Sequence, residues 1–266
     1  MHIETATTIF FSPTGTTAKI IDAIVRGLGF AEGDRFDLTL PDSVRGDAEI
    51  RGEALALIGA PVYAGRIPPA AAARLRRIDA GGAPAVLVVV YGNRAYDDAL
   101  LELRDIALEM GFKPIAGAAF IGEHSYSHPD LPIAPGRPDA QDVIDADRFA
   151  RSILKKLDRL RSPEDLGPLA VPGNFPYRER TVMNAAPPET LEESCTLCGS
   201  CAEVCPTAAI TVGEQVATDP EACIFCCACV KICPEAARRV RDPELLEIRQ
   251  RLNQNCRERR KPEWFL

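Results

Sequence analysis

Eight of the ten cysteines fall in two copies of one spacing, and nothing else in the 266 residues constrains the chain so strongly. The first copy is Cys195-x-x-Cys198-x-x-Cys201-x-x-x-Cys205-Pro206 and the second is Cys223-x-x-Cys226-x-x-Cys229-x-x-x-Cys233-Pro234. Four thiolates make the ligand set of a cubane iron–sulfur cluster. In the two-cluster spacing, three come from one run and the fourth from the other. The expectation is two [4Fe–4S] clusters, one on Cys195, Cys198, Cys201 and Cys233, the other on Cys223, Cys226, Cys229 and Cys205. Such centres move electrons singly, so the rest of the chain must indicate from what and to what.

Structural zinc is the rival use of paired cysteines, but it favours two isolated pairs closing one tetrahedral site. Here each run has three evenly spaced cysteines and a fourth before proline, and neither contains a histidine. A disulfide framework belongs to short secreted chains, and Met1-His2-Ile3-Glu4 does not resemble a signal peptide. The longest apolar stretch, Ala83 to Tyr91, is too short to span a bilayer. A soluble, cytoplasmic protein is expected. A net charge of −7 argues against a general nucleic-acid binder. The charge is uneven: Glu189 to Pro234 holds seven acids and one base, Glu235 to Leu266 nine bases and six acids. The acidic part suits a basic redox partner and equally suits a merely solvated surface.

All ten cysteines lie after residue 194. Before them, apolar runs alternate with helical patterns: strands near Thr7–Phe11, Arg35–Leu38, Ala54–Ala60, Ala85–Tyr91 and Pro114–Ile121, and helices near Thr16–Leu28, Pro69–Ile78, Asp97–Met110 and Asp139–Leu160. That alternation predicts an α/β fold with a parallel doubly wound sheet. Residues 162–190 hold six prolines and little periodicity. They read as a semi-rigid linker or as a segment wrapped over the first domain by Val171, Phe175, Tyr177 and Val182. Residues 191–241 hold the repeat, at an offset of 28, with a hairpin over Ile210–Ala217 turning at Gly213-Glu214. A charged helix, Glu244–Arg259, and an apolar end, Trp264-Phe265-Leu266, occupy residues 242–266. That end either docks onto something or frays.

Ser12-Pro13-Thr14-Gly15-Thr16-Thr17 links the first strand to the first helix. Hydroxyls and glycine at a helix start suit an anion, although an ordinary N-cap looks similar. No P-loop lysine follows and no GxGxxG appears, so a monophosphate fits better than a triphosphate or dinucleotide. This loop resembles the phosphate loop of flavodoxins, with serine where many have threonine and Thr16 where many have asparagine. Two further strand ends support the likeness: Pro61-Val62-Tyr63-Ala64-Gly65-Arg66 and Gly92-Asn93-Arg94-Ala95-Tyr96. The likeness covers roughly residues 5–160. Residues 190–240 resemble two-cluster ferredoxins, and together they resemble flavodoxin-like/ferredoxin fusion proteins.

The resemblance implies a five-stranded sheet in the order 2-1-3-4-5, residues 1–161 binding FMN and residues 191–241 forming a small α+β ferredoxin domain. It implies that Ser12, Thr14, Gly15, Thr16 and Thr17 hold the phosphate. Pro61, Val62, Tyr63, Ala64, Gly65, Gly92, Asn93, Arg94 and Tyr96 would flank the ring, with Tyr63 or Tyr96 stacking. The loop after the last strand, Gly122-Glu123-His124-Ser125-Tyr126, would lie close by, with His124 at the cofactor and His, Tyr and Glu available for proton delivery. Arg66, Arg94 and Arg137 are candidates to recruit an anion. Cys227 and Cys256 are left over, and inert thiols are the simpler reading. The function expected is electron transfer between two [4Fe–4S] clusters and FMN, serving a redox protein or a small-molecule donor or acceptor. FMN-dependent reduction of a small molecule is the alternative, and the chain is either a monomer or a homodimer.

Overall fold

The computed structural model describes residues 3–43, 48–50, 54–160, 167–180 and 183–266. The first part runs β1 (Thr5–Phe10), α1 (Thr16–Leu28), β2 (Ala31–Asp37), β3 (Ala48–Glu49), β4 (Ala54–Pro61), α2 (Pro69–Leu75), β5 (Ile78–Asp79), β6 (Pro84–Tyr91), α3 (Ala99–Glu109), β7 (Lys113–Ile121) and α4 (Ala140–Leu157). The second runs β8 (Glu189–Thr190), α5 (Ser200–Glu203), β9 (Ile210–Val212), β10 (Val216–Thr218), α6 (Ala228–Ile232), β11 (Arg238–Arg239), α7 (Pro243–Asn255) and β12 (Glu263–Phe265).

Five strands form a parallel sheet in the order β2-β1-β4-β6-β7. Short βα and αβ connections demand this wrap, with helices covering both faces. Strands β4 and β6 are apolar and buried throughout, as two covered faces require. Ile20, Ile21 and Ile24 of α1 join Phe149 and Ile153 of α4 on one face. Leu75 of α2 joins Leu100, Leu103 and Ile106 of α3 on the other. Helix α4 begins in a reciprocal cap: the Asp139 carboxylate accepts from the amides of Gln141 and Asp142, and Asp142 accepts from the Asp139 amide. This order is the flavodoxin-like form of the doubly wound sheet, whose ligands bind beyond the carboxyl ends of the strands.

A sixth strand joins this sheet. Strand β12 pairs antiparallel with β7, Trp264 opposite Ala118 and Phe265 opposite Gly117. Trp264 lies 6.0 Å from the ring of Phe149. The apolar C-terminal residues therefore cover an otherwise open sheet edge.

Residues 167–180 run over α3. Leu169 is buried in the core and Val171 packs against it. Asp98 accepts from the amides of Asn174 at 2.8 Å and Arg178 at 2.7 Å, and the Tyr177 hydroxyl donates to Asp105. Phe175 is 78% exposed and meets the Tyr177 ring edge-on at 5.2 Å; Val182 lies outside the described residues. The cysteine-rich part folds as two short antiparallel pairs, β9–β10 and β8–β11, with α5 and α6 between them. The β9–β10 hairpin lies where the sequence placed one.

Candidate redox centre

The duplication is visible in the backbone. Each cassette contains left-handed residues at matching positions: Leu197 and Phe225, Gly199 and Cys227, Ala208 and Ala236. These turns curl the chain around its cysteines. Cys227 occupies the left-handed N-cap position that Gly199 fills in the first copy, which gives this cysteine a place in the fold without a ligand role. The four cysteines 195, 198, 201 and 233 line one small cavity. Cysteines 205, 223, 226 and 229 line a second, which Cys227 also borders. The two fourth cysteines are matched: the Ala209 amide donates to Cys205 Sγ and the Ala237 amide to Cys233 Sγ, each at 3.2 Å. Among the described residues, no group of three or more His, Cys, Asp or Glu side chains is arranged to hold a metal ion. The thiols instead surround two cavities with sulfur donors and backbone amides, a donor set that fits an iron–sulfur cluster.

At the carboxyl end of β1, Gly15 caps α1 in the left-handed conformation with open space in front of it. Ser12 Oγ accepts from the Ala18 amide at 3.1 Å, and the Ser12 amide donates to Thr39 Oγ1 at 2.9 Å. Those two bonds fix the loop. The amides of Thr16 and Thr17 find no acceptor among the described residues. Thr14 and Thr16 are half-buried, whereas Thr17 is fully buried with its Oγ1 lacking any partner. An unfilled hydroxyl beside free helix N-terminal amides fits a bound anion.

The next loops interlock. Tyr63 and Arg66 exchange backbone hydrogen bonds of 2.8 and 3.1 Å around a tight turn with Ala64 and Gly65 at positive φ. A β-carbon on Gly65 would lie 2.3 Å from Asp97, and one on Gly92 would lie 2.2 Å from the His124 ring. Both glycines are thus needed by the chain's own packing, whatever else approaches them. Val62 follows Pro61 off β4, its amide donating to the Val90 carbonyl at 2.9 Å. The buried Asn93 side chain holds the C-terminal tail: its amide donates to the carbonyls of Cys256 and Glu258 at 2.7 and 2.8 Å, and its oxygen accepts from the Arg260 amide. The Tyr96 hydroxyl donates to Glu263 at 3.0 Å. Asn93 and Tyr96 therefore spend their side chains on the tail.

The three arginines singled out for anion recruitment are each held by a carboxylate. Arg66 makes a bidentate pair with Glu102 at 2.7 Å, shared with Arg180. Arg94 pairs with Asp97. Arg137 pairs with Asp142, and both are buried. Proton delivery by the His124 loop loses support for a similar reason. Burial, with Lys231 and Arg94 nearby, lowers the His124 pKa to about 4. The ring is neutral at pH 7; its Nδ1 accepts from the Tyr126 amide, which puts the proton on Nε2. Glu123 is tied to Lys231 at 3.0 Å and to the Gly136 amide. Burial also raises the thiol pKa values of Cys227 and Cys256, which disfavours reactive thiolates.

The second cavity faces these loops. Ile224 packs against the same core as Val62 and Tyr96. Tyr63 is pushed well above the usual phenol range by burial and by the thiols of Cys226 and Cys227. Tyr126 is raised by burial and by Cys227, Cys223 and Cys226. Arg74 bridges the two parts, donating to the carbonyls of Leu38, Thr39 and Pro206. The first cavity lies on the outside, where Cys198 and Leu197 are exposed. Beside it is an open groove of about 1020 Å³ that includes Glu189, Glu192 and Glu214. Two buried arginines went unnoticed in the sequence. Arg249 on α7 acts electrostatically on Cys227 and Tyr126, and Arg238 on β11 lines both cavities. The only signal for Arg238 was a break in the repeat, whose corresponding residue is Ile210.

Residues 188–211 match the family model described as a 4Fe–4S binding domain. No curated protein matches the chain. Among solved structures, the rubredoxin:oxygen oxidoreductase of the anaerobe Desulfovibrio gigas is 15% identical with a TM-score of 0.40, over 59% of this chain and 37% of that one. A flavodoxin from the domain Archaea is 15% identical with a TM-score of 0.37, over 58% and 99%. A Fusobacterium nucleatum flavodoxin mutant bound to flavin mononucleotide is 18% identical with a TM-score of 0.38, over 58% and 98%. The fold rests on the strand order rather than on these likenesses. No helix among the described residues is long and apolar enough to cross a membrane. The chain joins a flavodoxin-like doubly wound sheet and a 4Fe–4S ferredoxin-type region in one polypeptide.

Proposed function

We propose that the chain is an electron-transfer protein that passes electrons between an external redox partner and a bound FMN through two [4Fe–4S] clusters. One observation carries this reading. The eight cassette cysteines sort into two cavities with crossed fourth members, and the inner cavity adjoins the loops at the carboxyl ends of β4 and β7. Cys195, Cys198, Cys201 and Cys233 hold the outer cluster, and Cys223, Cys226, Cys229 and Cys205 the inner one. The phosphate of FMN is held by the Thr16 and Thr17 amides and by the hydroxyls of Thr14, Thr16 and Thr17. Ser12 keeps that loop in shape, and Gly15 leaves room for the anion. The ring is held by the turn amides of Ala64 and Gly65, by Tyr63 and by the Nε2–H of His124. Gly92, Asn93, Arg94 and Tyr96 support these contacts from behind, in part through the C-terminal tail.

When bound, a flavin supplies exchange between one- and two-electron chemistry, and the clusters supply single electrons. The chain's own part is to hold the centres in one order: acidic groove, outer cluster, inner cluster, flavin loops. The acidic groove supports a basic partner at the outer cluster. Pairing of Arg66, Arg94 and Arg137 with carboxylates favours a carrier over a reductase of anionic substrates.

The test is anaerobic purification with quantification of iron, sulfide and flavin, followed by stepwise redox titration. Two clusters require eight irons and eight sulfides beside one FMN per chain. Half that iron, or FAD in place of FMN, would overturn the assignment.

A further inference from the structure

Arg238 is 3% exposed and forms no ion pair with a carboxylate among the described residues. Its Nη1 donates to Thr190 Oγ1 at 2.7 Å and its Nη2 to Thr218 Oγ1 at 2.9 Å, both neutral acceptors. Its Nε is buried with no acceptor among the described residues. Its Nη2 also lies 3.8 Å from Cys229 Sγ. A cation withdrawn from water costs several kcal/mol unless an anion faces it. Arg238 lines the cavity of Cys195, Cys198, Cys201 and Cys233 and also that of Cys205, Cys223, Cys226 and Cys229. Glu189, Glu192 and Glu214 border the open groove beside it and Glu235 the first cavity, but among the described residues none of them pairs with it, and Cys229 Sγ is the anion-forming group in contact.

The fold holds this side chain firmly. Strand β11 pairs Arg238 directly with Thr190 of β8, and β10 brings Thr218. The repeat does not account for it: 28 residues earlier stands Ile210, buried and apolar. The charge is therefore a property of one half of the duplication only.

We propose that Arg238 is the shared counter-charge of both iron–sulfur centres and raises their reduction potentials, most strongly that of the inner cluster. The inference rests on the two-cluster reading above. Four thiolates leave a cubane cluster anionic in both redox states, and one added electron makes it more so. A fixed cation in a low-dielectric site stabilises the reduced form more than the oxidised one. Arginine stays protonated throughout. The electron arrives from the external partner and moves no proton at this residue.

The experiment is an anaerobic titration of the full-length protein monitored by electron paramagnetic resonance, on wild type, Arg238→Gln and Arg238→Lys. Wild type must first contain eight irons per chain; fewer overturns the two-cluster reading itself. Arg238→Gln is expected to lower the inner midpoint by at least about 59 mV, a tenfold change for a one-electron couple, with a smaller fall at the outer cluster. Arg238→Lys, which keeps the charge, is expected to recover most of the difference. Unchanged midpoints in a fully loaded Arg238→Gln protein overturn the inference. If Arg238→Gln fails to load, full loading of Arg238→Lys supports a charge requirement, whereas failure of both makes the residue purely structural and overturns the inference.

Discussion

Thr17 gives the sharpest test of the phosphate loop, because its replacement by valine should act with opposite signs on the empty and the FMN-loaded protein. The side chain is 0% exposed, and its Oγ1 has no partner among the described residues. A buried hydroxyl without a partner costs about 1–3 kcal/mol. Thr17→Val keeps the shape, including the methyl group that faces Gly59. Flavin-free protein should therefore become more stable, by about 1–3 kcal/mol. Bound FMN, in contrast, loses a hydrogen bond from a hydroxyl to a charged phosphate, worth about 1.5–3 kcal/mol, so its Kd should rise roughly 10- to 140-fold. Stability is read from urea unfolding through the single tryptophan, Trp264, which lies against Phe149. Affinity is read from flavin fluorescence during titration. A variant that is less stable when empty and binds FMN as tightly as wild type would refute the reasoning and move the phosphate away from this loop.

Two further outcomes follow. Cys205→Ser should perturb the spectrum of the cluster on Cys223, Cys226 and Cys229 and spare the one on Cys195, Cys198 and Cys201; the reverse pattern would break the crossed assignment. His124 has a folded pKa of about 4 against 6.5, so the unfolded chain binds the extra proton between those values. Its contribution to stability is complete above pH 6.5 and is lost as pH falls toward 4, about 2 kcal/mol of it by pH 5; His124→Gln should flatten the urea-midpoint profile across that window, and an unaltered slope would disprove the cause.

Much of this architecture was legible in the sequence, for local reasons. Cassette spacing is a short-range pattern, and a buried parallel strand such as Ala85–Tyr91 announces itself through a continuous apolar run. Strand β2 was harder: Ala31–Asp37 is an almost wholly exposed edge with no alternation, so only its last residues looked extended. The pairing of Glu263–Phe265 with β7 joins residues more than a hundred positions apart and has no periodic signal. The candidate loop residues lie at the strand ends, as the sequence pattern implies, but their side-chain commitments are not readable in it. Asn93 meets carbonyls at Cys256 and Glu258, Arg66 meets Glu102, and Arg137 meets Asp142 inside the core. A charged residue in a strand-end loop looks the same in a sequence whether a ligand or a distant carboxylate completes it. Arg238 was hidden for a related reason. Among the described residues it has no carboxylate partner, and only the folded chain displays that.

Flavin and clusters are expected to exchange electrons inside one chain. Rapid mixing of fully reduced protein with an oxidant of the flavin, over a wide dilution series, tests it directly. Cluster reoxidation is expected at a rate independent of protein concentration, because the inner cysteine cavity adjoins the proposed flavin loops of the same polypeptide. A rate that falls in proportion to dilution would make the transfer intermolecular and contradict the account.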